Sequence, residues 1–320
     1  MKRSLDIACF PEIWQANLPD KRTRTLTPGL LDRSSVETLV EWKEWDSNLI
    51  TRDEVVARVS DVVAILNSPP EFFHNILSSP GFFEDSRGNS RGTKWVGIVY
   101  DTASLGYKPR TRTLRELLTR PDGKYRDIWK PPLGDRFRLA HQLAETLLAV
   151  HTSGWLHKGL RPENVVFFNP VRSVNESYLL GWDYSRSAKR GQKTEPVISW
   201  NEDAELYQHP LWFEEPSPED EDKSRFRIEF DQYQLGCLLL EIGLWCLIGS
   251  LKQATKKEFS GLDWREDWKE YLESKTKILE VEMGKIYAEV VLNLLRGLDA
   301  DGSRLEYWNV VVLRPSEFKV

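Results

Sequence analysis

The chain has 320 residues, enough for one large domain or two moderate ones, each with a core of its own. Hydrophobic residues make up 40% and charged residues 29%, an ordinary balance for a globular fold, and a net charge of -5 leaves no electrostatic footprint for nucleic acid. Cys9, Cys237 and Cys246 are odd in number and make no spaced framework, which predicts reduced thiols and a cytoplasmic location.

Met1 to Phe10 carries only a short, charge-interrupted apolar stretch, so no signal peptide is expected. Val36 to Trp45 alternates apolar and polar side chains and predicts a half-buried strand. Ile50 to Asn67 places Val55, Val59, Val62, Val63 and Leu66 at helical spacing. Thr51 supplies its N-cap, and Pro69 and Pro70 stop it. Glu84 to Gly92 reads as an exposed loop, and Trp95 to Tyr100 as a short buried strand. Thr113 to Leu118 opens with a capping-box pattern. Arg136 to Thr152 is the clearest helix, with Ala140, Leu143, Ala144, Leu147, Leu148 and His151 on one face.

Val165 to Phe168 and Tyr178 to Leu180, separated by a polar turn, predict a hairpin. Glu214 to Lys223 is acidic, with two prolines, and reads as a solvated loop. Asp231 to Gly249 predicts one buried helix. Its apolar stretch, Leu235 to Ile248, is shorter than the roughly 20 residues that span a bilayer, so no membrane span is expected. Trp264 to Arg296 holds further amphipathic helices. A β-rich part followed by a larger helical part predicts an α+β fold in two lobes, residues 1–102 and 103–320.

The informative stretch runs from Leu147 to Phe168. A long helix ends near His151, Gly154 breaks it, and His157-Lys-Gly-Leu-Arg-Pro-Glu-Asn164 feeds a hairpin. This resembles the protein-kinase catalytic loop, His-Arg-Asp-Leu-Lys-Pro-Glu-Asn, at unbroken spacing. Asp231-Gln-Tyr-Gln-Leu-Gly-Cys-Leu-Leu-Leu-Glu-Ile-Gly resembles the large buried helix of that fold, and Tyr207 to Pro210 resembles the segment before its Ala-Pro-Glu motif. Val40-Glu-Trp-Lys43 sits where kinases carry Val-Ala-Ile-Lys. With Gly97-Ile-Val-Tyr100 and Leu180-Gly-Trp-Asp-Tyr-Ser-Arg186, the set is similar to fungal kinase-like domains found with prion-inhibition and heterokaryon-incompatibility proteins.

The resemblance implies a bilobal kinase-like fold in which Asp231 ties down the loop and His157 packs structurally. It also implies that Gly159 replaces the aspartate that receives the substrate hydroxyl proton, between the cations Lys158 and Arg161. Gly181 takes the metal-binding aspartate position, with Asp183 two residues on, and Met1 to Thr38 contains only Gly29 where a Gly-rich phosphate loop is expected. Lys43, Asn164 and Asp183 are the candidate nucleotide-binding residues, with Glu54 or Asp61 as the carboxylate partner of Lys43.

The expectation is a pseudokinase without cofactor that binds a protein partner, in defence or incompatibility signalling. A protein kinase using ATP and Mg²⁺ through unconventional residues, and a nucleotide-binding switch without phosphotransfer, are the alternatives. Smaller candidates are a basic cluster of Lys108, Arg110, Arg112, Arg115 and Arg120, the acidic run Glu219 to Asp222, a Ser217-Pro218 phosphoacceptor, and the isolated His141, His151 and His209.

Overall fold

The computed structural model describes residues 4–5, 24–31, 34–67, 75–85, 93–105, 111–119, 129–168, 173–187, 202–213, 226–255, 259 and 264–297. The fold is α+β, and the chain forms two compact units, Met1–Arg110 with Leu180–Arg186, and Thr111–Leu179 with Ser187–Val320. The first unit thus runs past residue 102 and takes in a short segment from the later chain.

In the first unit an antiparallel sheet has the order β1-β2-β4-β3, built from β1 (Arg24–Leu31), β2 (Ser34–Asp46), β3 (Gly81–Asp85) and β4 (Thr93–Asp101). β1 and β3 have no counterpart among the predicted elements, and the loop expected from Glu84 begins inside β3. β2 is buried on both faces rather than one. Val40 and Trp42 pack with Phe83 and Val99 on one side, while Leu39, Glu41, Lys43 and Trp45 alternate on the other. Gly97 is needed where β4 passes β3, because a Cβ there would lie 2.6 Å from Phe83 Cζ and 2.9 Å from Val40 Cγ1.

The helix between β2 and β3, α1 (Arg52–Asn67), begins at the predicted cap. Thr51 Oγ1 accepts the Glu54 N–H at 3.3 Å, and the Glu54 carboxylate accepts the Thr51 N–H at 3.0 Å. Val55, Val59, Val62, Val63 and Leu66 are buried along one stripe, which is what the spacing requires.

The second unit has a three-stranded antiparallel sheet, β5 (Thr111–Thr113), β6 (Val165–Phe168) and β7 (Ser177–Leu179), with β6 in the middle. The predicted hairpin is β6–β7, and the predicted capping box of Thr113 and Glu116 opens α2 (Leu114–Leu118). α3 (Leu133–Thr152) ends where Gly154 takes a φ of 76°, a conformation that a side chain disfavours. The remaining helices are α4 (Glu202–Glu205), α5 (Ile228–Leu244), α6 (Ile248–Ala254), α7 (Trp264–Met283) and α8 (Lys285–Arg296).

The helix expected over Asp231 to Gly249 is two. Trp245 adopts φ 57°, ψ 47°, and its indole N–H donates to the Trp129 carbonyl at 3.0 Å, so packing of the ring fixes the break. α5 runs through the centre of this unit with nearly every side chain buried, against α3, α7 and α8. Among the described residues no single helix is long and apolar enough to cross a membrane. α5 and α6 reach that length only as a pair bent by 73°.

Candidate functional site

The loop from His157 to Asn164 is fastened by side chains of α5. Asp231 is fully buried, and its Oδ2 accepts the His157 N–H at 2.8 Å while its Oδ1 accepts the Lys158 N–H at 2.7 Å. His151, at the end of α3, places Nε2 3.0 Å from Asp231 Oδ2, so this carboxylate has three partners. One turn on, Gln234 Oε1 accepts the Leu160 N–H at 3.0 Å. Lys158 is held at φ 68°, left-handed for a residue with a side chain, by its own N–H bonded to Asp231 and the next N–H, that of Gly159, bonded to His157 Nδ1. Its ammonium lies 5.8 Å above the Phe226 ring, and the residue is buried.

Within the loop, His157 Nδ1 accepts the Gly159 N–H at 3.2 Å, and Asn164 Nδ2 donates to the Gly159 carbonyl at 2.6 Å. Gly159 is therefore fixed on both its amide groups and carries no side chain. Arg161 is half-buried at the start of the 3-10 turn Pro162–Asn164. His157 and Asn164 are buried parts of the loop's own scaffold.

The other candidates lie in the first unit, on β2 and the segment Leu180–Arg186. Lys43 is 1% exposed, its Nζ donates to the Asp183 carbonyl at 2.7 Å, and it sits 4.3 Å from the centre of the Tyr184 ring. Neither carboxylate proposed as its partner is placed for that role. Glu54 and Asp61 are exposed on α1, and Glu54 is engaged in the helix cap.

The carboxylate that β2 does bring to this face is Glu41, two residues from Lys43 and 2% exposed. Its Oε1 accepts Arg24 Nη2 at 2.8 Å, Arg24 Nε at 3.0 Å and the Gly181 N–H at 2.9 Å. Its Oε2 accepts the Tyr100 hydroxyl at 2.8 Å and the Trp182 N–H at 3.1 Å. Burial, and then the adjacent carboxylate, push the Tyr100 hydroxyl well above the usual tyrosine range, so it stays a donor. Gly181 presents its N–H at φ 92°, in the left-handed region open to glycine. The motif Val40-Glu-Trp-Lys43 singles out Lys43 and assigns no role to Glu41. The available signal is an acidic and a basic side chain at alternate positions, Glu41 and Lys43, between the apolar Val40, Trp42 and Trp45.

The smaller candidates are reassigned. Arg115 belongs to an ion triad, donating to Glu163 at 2.9 Å and Asp203 at 2.6 Å, and so is no open anion site. Lys108, Arg110, Arg120, Ser217, Pro218 and Glu219 to Asp222 lie outside the described residues. His209 stacks on Phe230 at 5.2 Å, and burial, then Lys269 and Arg227, lower its imidazole to about 4, which keeps it neutral. His141 pairs with Glu145. Among the described residues no group of three or more His, Cys, Asp or Glu could hold a metal ion.

A family model described as a domain of unknown function, DUF7580, matches residues 90–298, well over half of the chain. The chain belongs to the DUF7580 family. The DUF7580 match includes the loop His157 to Asn164, its anchor Asp231, and the segment Leu180–Arg186. Arg24, Glu41 and Lys43 precede the matched residues. No curated protein matches the chain.

Proposed function

We propose that this chain is a kinase-like module without phosphotransferase activity, a pseudokinase that works by binding a protein partner. The observation that carries this function is the loop at Gly159. Asp231, Gln234, Asn164 and His157 supply hydrogen bonds that hold the loop in place, yet the position they fix bears only a hydrogen atom. A base at that point would contribute on the order of 10²–10⁴ in rate. Lys158 and Arg161 beside it are cations and cannot accept a proton at neutral pH.

Metal chemistry is disfavoured on the same grounds. Mg²⁺ on a triphosphate takes carboxylate oxygens, and Gly181 offers none. Asp183 engages Lys43 through its backbone carbonyl, and the N–H groups of Gly181 and Trp182 already serve Glu41. ATP and Mg²⁺ are accordingly not part of the proposed function. The resemblance to fungal kinase-like domains supports a partner in defence or incompatibility signalling.

The test is incubation of the full chain with ATP and Mg²⁺, reading ADP release, phosphate incorporation and thermal stability together. Neither turnover nor a shift is expected. Turnover abolished by both Lys43→Ala and Asp183→Ala would establish an unconventional kinase instead. A stability gain near 2.7 kcal/mol at about 100 times the dissociation constant, without turnover, would establish a nucleotide-binding switch.

A further inference from the structure

Glu41 is surrounded as a bound ligand is surrounded. Five donor atoms from three separate parts of the chain converge on one carboxylate, and the residues supplying them lie 17, 59, 140 and 141 positions away in sequence. The set combines a guanidinium fork, a phenol and two adjacent backbone N–H groups. That chemistry recognises a small oxyanion, with the charge met by arginine and the remaining lone pairs met by neutral donors. A further cation, Lys43, stands two residues along on the same face of β2, bonded to the Asp183 carbonyl. We infer that the first unit contains an oxyanion site whose resident ligand is the chain's own Glu41 carboxylate, and that this built-in anion joins Leu180–Arg186 to the sheet and excludes free phosphate or carboxylate.

Glu41 and a free anion compete for the same donors. A free anion must give up translational and rotational freedom to enter such a cradle, whereas Glu41 is carried into it by a strand whose register is already set on both sides. A second anion entering would also find the Arg24 charge already matched and the donors already occupied by Glu41. The same donors therefore become available only when the side chain is shortened.

The experiment is chemical rescue of the full chain. Glu41→Ala removes the carboxylate and leaves the donors, and thermal unfolding is followed in acetate, inorganic phosphate and chloride at matched ionic strength. The expected result has four parts. The wild type responds alike to all three salts. Glu41→Ala melts several degrees lower. Acetate or phosphate, but not chloride, then restores a large part of that loss in a saturable manner. In Arg24→Ala/Glu41→Ala the rescue is lost.

If Glu41→Ala does not fold in chloride, refolding yield is compared in acetate and in chloride, and an acetate-dependent yield is the same positive result. Equal response of Glu41→Ala to all salts, or rescue that survives removal of Arg24, overturns the inference. Glu41→Gln, which keeps the shape but not the charge, should be less stable than wild type and gain nothing from acetate, because its amide still fills the site. ATP turnover by the wild type would overturn the proposed function without touching this result, and failed rescue would leave that function standing.

Discussion

The Glu241 carboxylate accepts the Tyr207 hydroxyl at 2.5 Å, with both groups sealed from solvent. The same oxygen also accepts the Ile248 N–H at 2.8 Å, so one side chain on α5 secures the start of α6 and the segment that follows α4. Glu241 Oε2 is buried without a hydrogen bond. Burial raises this carboxyl from 4.5 to about 8, against the opposing pull of Tyr207 and Ile248.

That shift has a stability consequence with a definite sign. Unfolding returns the carboxyl to its ordinary range, so between 4.5 and about 8 the folded chain keeps a proton that the unfolded chain releases. Glu241's contribution to stability is therefore complete below pH 4.5 and declines as pH rises towards 8. Urea unfolding of wild type against Glu241→Gln across this interval checks it. The variant should lose most of the downward slope, and parallel slopes would assign the pH dependence elsewhere.

Asp231→Ala should destabilise the chain by about 3 kcal/mol or more. It strands the N–H groups of His157 and Lys158 and the ring of His151 inside the second unit, and each buried polar group left without a partner costs about 1–3 kcal/mol. Asp231→Asn keeps one acceptor oxygen and should fall between the two. Denaturant midpoints give the totals. Hydrogen exchange should show the His157 and Lys158 amides losing protection together.

Two glycines at contrasting positions test the packing around α5. A Cβ on Gly243 would meet Leu279 Cδ2 at 2.5 Å and Tyr287 Cε1 at 3.0 Å, so Gly243→Ala overpacks the junction with α7 and α8 and should cost about 1–3 kcal/mol. A Cβ on Gly134, in the first turn of α3, meets nothing within 4 Å. Gly134→Ala should be neutral or stabilising by up to about 1 kcal/mol. Equal effects of the two substitutions would contradict the close fit at α5.

What could be read from sequence was local. The stripe of valines in α1, the Thr113 and Glu116 cap, the hairpin β6–β7 and the long face of α3 each follow from spacing within a few residues, and all stand where the pattern put them. What escaped depends on distant partners. Lys43 and Glu41 have the alternation of a solvent-facing edge, and they are buried because their partners arrive from β1, β4 and the segment Leu180–Arg186. Trp245 breaks a run that is apolar enough to continue as helix, and it does so because its indole is anchored to the Trp129 carbonyl. The anchoring of the loop by Asp231 was implied by resemblance. Neither composition nor periodicity distinguishes that buried carboxylate from a surface one.

Lys43 is the residue a nucleotide-binding reading would choose for mutation, and its surroundings predict an effect in the absence of any nucleotide. The ammonium is buried, bonded to the Asp183 carbonyl at 2.7 Å and placed over Tyr184, so it fastens the Trp182–Tyr184 turn to β2. Lys43→Met preserves length and apolar contact but leaves that carbonyl without its donor and removes a positive charge two residues from Glu41. A loss of about 1–3 kcal/mol is expected, with faster amide exchange confined to Leu180–Arg186 and the neighbouring part of β2. Lys43→Arg keeps the charge but brings a planar fork where a single ammonium fits between a carbonyl and a ring, so it should recover only part of the loss. Unchanged stability and exchange in Lys43→Met, measured without ATP, would show that the lysine is held in reserve for a ligand rather than used in the fold.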